Sequence, residues 1–151
     1  TELFCIFVAD GSFNPKELDN MISKIKNDNN DFVFASRYEK NCGSDDDTVI
    51  TFIGNYIFTF LGKFFFKLEI TDILYTFVVA RTSCAKKLEL AAKDFSFCVE
   101  LPIKAKRANY RICTSKSYER ARLAGKKKVN AFKDGLKILF SMVKLFFKVK
   151  V

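Results

Sequence analysis

The chain has 151 residues, of which 49% are hydrophobic, with 18 Phe, no His and a formal net charge of +9. That length and apolar content suffice for one domain with a sizeable core and exclude a disordered chain, while the lack of His excludes His-based triads and His metal sites within it. The charge is uneven: residues 1–100 hold 11 Lys/Arg against 15 Asp/Glu and residues 101–151 hold 15 against 2, so the basic end implies an anionic partner such as phosphate, lipid headgroups or nucleic acid.

Residues 3–9 (LFCIFVA) form a continuous apolar run that predicts a buried parallel strand, closed by the turn pair Asp10-Gly11. Asn14-Pro15 opens a helix with Pro at its first position and Glu17 and Asp19 in its first turn. Leu18, Met21, Ile22 and Ile25 keep helical spacing, and residues 27–30 end the helix. Residues 31–36 (DFVFAS) read as a second strand, and this strand, helix, strand series is half of a doubly wound α/β sheet. The acidic stretch 39–47 reads as a loop. Residues 49–66 are apolar nearly all round, with Asn55, Gly62 and Lys63 as exceptions, which predicts a helix either buried or laid on a membrane. Residues 73–80 read as a strand. Thr82 or Ser83 can cap a helix to about residue 91, and Asp94 or Ser96 another to about residue 106. Residues 109–113 form a short strand. In the last segment Phe132, Leu136, Leu139, Phe140, Val143, Phe146 and Phe147 recur with helical period, and Lys133, Lys137, Lys144 and Lys148 follow one residue out of phase. The expected division is an α/β domain over 1–130 and an amphipathic, membrane-associated helix over 131–151. Five cysteines, an odd number with no CxxC pair, suit reduced thiols in a cytosolic setting.

Several side chains are placed for chemistry. Asp10, at the C-terminal end of a predicted strand, sits where α/β sheets bind ligands and can hold Mg²⁺ or Mn²⁺ against a diphosphate; Asp-Gly is equally the chemistry of a plain turn. Arg37 ends the next strand and can fork onto a phosphate or lie on the surface. Asp72 lies between two apolar runs, where desolvation favours general-base work, although a loop carboxylate fits the same position. Glu100 lies in the mostly apolar stretch 95–103 and either pairs with Lys104 one turn on or points into a cleft. Arg120, Arg122, Gly125 and residues 126–128 make a dense basic loop suited to phosphates or acidic lipids.

In this order the segments resemble the dolichol-phosphate-mannose-synthase-like branch of family 2 (GT-A fold) glycosyltransferases. Ala9-Asp10-Gly11 with Asn14-Pro15 resembles the family's DxD strand end and following helix, and Phe34-Ala35-Ser36-Arg37-Tyr38 its GSRY segment. Gly54-Asn55 and Ile70-Thr71-Asp72 followed by Phe77 resemble its acceptor-side helix and D…GF stretch. Residues 95–105 (FSFCVELPIKA) resemble its GF.fe.El..kA helix, and residues 122–130 (RLAGKKKVN) its R..GeSKvn loop.

The resemblance implies a partial GT-A, Rossmann-like sheet flanked by helices, with 1–130 as the later part of the catalytic domain. It implies Asp10 as the metal- and diphosphate-binding Asp, Arg37 near the phosphates, Asp72 as the catalytic carboxylate with Glu100 as a second candidate, and Arg122 and Lys128 on the loop that closes over the phosphates. Val8 stands at the first acidic position of DxD, Lys127 where the family often has Ser, and Tyr75-Thr76 where it has a small residue and Gly. The strands that hold the nucleotide base in the family are absent, so this chain alone is expected to be inactive.

The expected function is inverting transfer of a sugar from a nucleotide-sugar to a lipid-phosphate or glycan acceptor, at the cytoplasmic face of an anionic membrane. A hydroxyl acceptor needs Asp72 as base; a polyprenyl phosphate is already ionised and needs none. A nucleic-acid-binding domain is the alternative suggested by the basic end, but the chain has no recognition motif and its aromatics keep core spacing, so no nucleic-acid partner is expected. A membrane-bound scaffold descended from the enzyme is the other reading, motivated by Val8.

Overall fold

The computed structural model describes residues 1–125 and 130–148. The elements are β1 (Leu3–Ile6), α1 (Leu18–Lys26) entered through a 3₁₀ turn (Pro15–Glu17), β2 (Phe32–Ser36), β3 (Gly43–Ser44), α2 (Val49–Phe66), β4 (Val78–Arg81), α3 (Thr82–Lys86), α4 (Phe97–Arg107), β5 (Ile112–Lys116), β6 (Tyr118–Glu119) and α5 (Ala131–Phe147).

Four strands form a mixed sheet in the order β1-β4-β2-β5, flanked by helices; β3 and β6 form a short parallel pair beside it. β1 is not the buried parallel strand its apolar run predicts. It is an outer strand paired antiparallel to β4, with Cys5 exposed. β4 is also antiparallel to β2, and β2 is parallel to β5. β1, β2 and β5 therefore point the same way, and β4 is the one reversed strand. The central strand β2 is buried along its whole length, as a continuous FVFAS run requires.

Alternation along the strands divides the core. Phe32, Phe34, Val78 and Ala80 face a core completed by Ile70, Ile73, α4 and α5. Val33, Ala35, Phe77 and Val79 face a second core closed by Phe13 and by Met21 and Ile25 of α1. The Phe, Ile, Val and Met side chains among them each contribute about 1.5–3 kcal/mol by burial. Asn14 caps the entry to α1, its side chain accepting from Lys16 N, with Pro15 next as expected. All five cysteines are free.

α2 is inverted relative to an ordinary surface helix. Its buried residues are Asn55, Thr59 and Gly62, while Ile50, Ile53, Tyr56, Ile57, Phe60 and Phe64 are exposed. The polar residues face inward because the segment after Asp72 needs partners for its backbone. Thr59 Oγ1 accepts from Ile73 N at 3.2 Å and Asn55 Oδ1 from Leu74 N at 3.0 Å. A Cβ on Gly62 would come within 2.9 Å of Ile73 Cδ1, so any larger residue there would push the Ile73 side-chain end aside. The helix is capped by Thr48, which exchanges hydrogen bonds with Thr51. It is long and apolar enough to cross a membrane by length and composition, but its polar seam ties it along the domain.

α5 is part of the main core and not a separate appendage. Ile138, Met142 and Leu145 are buried against α2 and α4. The stripe recognised in the sequence faces outward, with Phe132 81% and Phe140 71% exposed.

Candidate functional site

β1, β2 and β5 are co-directional, so the residues that follow them gather at one end of the sheet, where α/β proteins place ligands. A cleft of about 610 Å³ opens there, lined among others by Asp10, Arg37, Tyr75, Glu119, Arg122 and Gly125. Asp10, Arg37, Arg122 and Gly125, all singled out in the sequence, therefore meet in one cleft, and Asp72 stands directly behind it.

Asp10 is held by its turn. Gly11 adopts φ +84°, which a side chain disfavours, and a Cβ there would also strike Leu123. Asp10 Oδ1 accepts from Ser12 N at 3.0 Å and from Ser12 Oγ at 2.7 Å. Residues 120–123 strap across this turn: Arg120 N donates to Ser12 O and Leu123 N to Asp10 O, both at 2.9 Å. The Arg120 guanidinium adds bonds to Gly11 O at 3.0 Å and Phe13 O at 2.7 Å. The strap places Arg122 between two carboxylates, with Nη1 3.1 Å from Asp10 Oδ2 and Nη2 3.0 Å from Asp46 Oδ2. Partial burial works to raise the Asp10 pKa, but the Ser12 hydrogen bonds and the Arg122 charge outweigh it, so the carboxyl titrates below its ordinary value. The hydrogen bond to Asp46 is the main cause that raises Arg122.

Arg37 is the centre of a buried chain of charges. Its Nε and Nη2 donate to Asp72 Oδ2 at 2.7 Å and Oδ1 at 3.0 Å, and its Nη1 donates to Glu119 Oε2 at 2.9 Å. Burial opposes its charge, and the Asp72 hydrogen bonds and charge more than restore it, so its pKa is raised. The guanidinium also lies 4.6 Å from the centre of the Tyr75 ring, whose hydroxyl is 3.1 Å from Ser117 Oγ. Glu119 Oε2 accepts in addition from Ser44 Oγ at 2.5 Å.

Asp72 is fully committed. Besides the two Arg37 side-chain bonds it accepts from Arg37 N at 3.1 Å and from Asn55 Nδ2 at 2.6 Å. A carboxylate with four donors positions Arg37, and its lone pairs are taken before a substrate proton arrives. Glu100 is not brought into the cleft. It accepts from the amides of Ala91 and Ala92, forms the expected one-turn ion pair with Lys104 at 3.0 Å, and lines a different groove. Lys128 lies outside the described residues.

A divalent ion fits the chain's own groups poorly. Among the described residues no cluster of three or more acidic or Cys side chains is placed to hold one, and the Arg122 guanidinium stands between Asp10 and Asp46 where an ion's charge would be needed.

Glu119 and Asp46 were not singled out in the sequence. Glu119 carried no readable signal: Ser115, Ser117 and Glu119 are buried and alternate with exposed Lys116, Tyr118 and Arg120, but none of the buried three is apolar, so the alternation shows only in the structure. Asp46 carried none, being one of three consecutive Asp residues in a loop.

No protein-family model matches the chain, and no curated protein matches it.

Proposed function

We propose that the protein is a glycosyltransferase of the GT-A type, carrying the later part of its catalytic domain, that moves a sugar from a nucleotide-sugar to a lipid-phosphate acceptor at the cytoplasmic face of a membrane. The observation that carries this reading is the adjacency of two hollows. The charged cleft shares Thr51, Leu74 and Phe95 with a groove of about 630 Å³ between α2 and α5, whose walls include Ile50, Ile53, Ile57 and Ile138. A phosphate on an apolar tail matches that pairing: charge at the sheet end, tail along the helices.

In the proposed reaction an ionised phosphate oxygen of the acceptor attacks the anomeric carbon of the donor sugar. The bond from that carbon to the diphosphate breaks, and the nucleoside diphosphate leaves with the electron pair. No proton has to move, which agrees with an Asp72 already saturated with donors. Arg122 offsets charge on the leaving diphosphate, and Gly125, which lines the cleft, leads in sequence into Lys126, Lys127 and Lys128. Arg37 is oriented by Asp72 and Glu119 toward the same space.

The test is transfer of labelled sugar from UDP- and GDP-sugars to a polyprenyl phosphate in vesicles by the product of the whole gene, with and without Mn²⁺. Label is expected in the lipid fraction, reduced about a hundredfold by Arg122→Gln, as when one charge-stabilising donor is removed. A folded preparation that transfers nothing from any donor overturns the reading.

A further inference from the structure

We propose that the groove between α4 and α5 binds the phosphate of an anionic phospholipid headgroup while the outward face of α2 and α5 lies in the bilayer. This rests on the membrane placement proposed above and is independent of its sugar chemistry.

α5 presents three arcs. Ile138, Met142 and Leu145 enter the core. Phe132, Leu136, Phe140, Val143 and Phe147 are exposed on the side away from it. Lys137, Lys144 and Lys148 occupy the third arc, on the flank that overlooks α4. α2 lies along the opposite flank, Phe65 and Phe146 meeting edge to face with ring centres 5.5 Å apart. The outward apolar residues of both helices thus make one surface with a lysine row at its α5 margin. A contiguous exposed apolar surface edged by lysines marks contact with another apolar phase.

The groove under that lysine row measures about 490 Å³ and lies apart from the charged cleft. Lys104, Lys137, Lys144 and Lys148 line it, against Asp94 and Glu100. Glu100 is already satisfied by two amides and Lys104. Lys137 is shared loosely between Asp94 at 4.0 Å and Asp134 at 3.7 Å. Lys144 and Lys148 have no carboxylate partner among the described residues, and Arg107 reaches the same end by donating to Lys148 O at 2.8 Å. Ammonium groups without partners around a hollow are a phosphate site of the point-charge kind. The lipid source follows from Leu136 and Phe140, which line the groove and are also part of the outward apolar face, so an anion in the groove sits at headgroup depth when that face is immersed.

The test is flotation of the whole chain with vesicles of phosphatidylcholine alone and of phosphatidylcholine with phosphatidic acid. The chain is expected to bind both and to prefer the anionic vesicles. Lys144→Gln with Lys148→Gln is expected to weaken anionic binding roughly thirtyfold, at the usual contribution of a lysine near an anionic surface, and to leave phosphatidylcholine binding unchanged. Lys86→Gln with Lys87→Gln removes the same charge elsewhere and is expected to change little. An equal loss in both double variants, or no loss in the first, overturns the headgroup site. Inorganic phosphate that competes as well as the lipid overturns the lipid assignment. Wild-type binding to both vesicles without preference sinks the headgroup site alone, whereas no binding to either sinks the membrane placement with it. Phe140→Ser with Val143→Ser, which lowers binding to both vesicle types, reports on the apolar face separately.

Discussion

At Arg37 the guanidinium meets Asp72 through two parallel contacts and Glu119 through a third, so its direction is set before any ligand arrives. Arg122 is held differently, by a strap whose backbone is pinned to the Asp10 turn. This turn has a pH signature. The Asp10 pKa is depressed in the folded chain, so its contribution to stability is complete above the ordinary carboxylate value of about 4 and disappears as pH falls through the lower, folded value. Melting temperatures measured across the acid range are expected to fall less steeply below pH about 4 in Asp10→Asn than in the wild type. Identical acid limbs would remove Asp10 from the account. Asp94, Glu100 and Glu69 are depressed as well and add to the acid slope: Ser12's counterpart for Asp94 is Ser96, for Glu100 the Ala91 and Ala92 amides and Lys104 outweigh burial, and for Glu69 the cause is the Lys106 hydrogen bond. At this scale Asp10, Arg37 and Asp72 were legible because each sits beside an apolar run, and Arg122 because it belongs to a dense basic loop. Glu119 was obscured because the strand reading stopped at residue 113, although β5 runs to Lys116. Its Thr-Ser-Lys half reads as loop, and pairing with β2 overrides that local preference.

Among the elements, the helical period of α5 was legible but its phase was not. Two of its three arcs are apolar, and the wider, Phe-rich one is exposed while the narrower one packs. Ile138→Ala is therefore expected to cost about 2–5 kcal/mol and Phe140→Ala to stay within about 0.5 kcal/mol, read by chemical denaturation. Equal costs would mean the exposed stripe also packs on the domain. The stretch 73–77 reads as strand from its composition, yet the strand is β4, Val78–Arg81. Its first amides donate to Asn55 and Thr59 of α2 instead of to a neighbouring strand, a tertiary choice invisible in local pattern. The helix predicted from Thr82 ends at Lys86, well short of residue 91, and the next begins at Phe97.

For the molecule as a whole, apolar runs located strands but not their directions: the reversed strand β4 between β1 and β2 makes the sheet mixed. The two outward helix faces predict self-association in plain buffer that a mild detergent disperses, measured by size-exclusion chromatography with light scattering; a monomer at every concentration without detergent would count against an apolar partner. Asn55 has a consequence beyond packing. Its amide bonds Asp72 on one side and Leu74 on the other, and Asp72 in turn holds Arg37. The outer helix and the cleft cation are thus linked in series, like a lever and its pointer. A substitution on the outer helix therefore reaches the cleft: Asn55→Leu takes one donor from Asp72, the carboxylate that aligns Arg37.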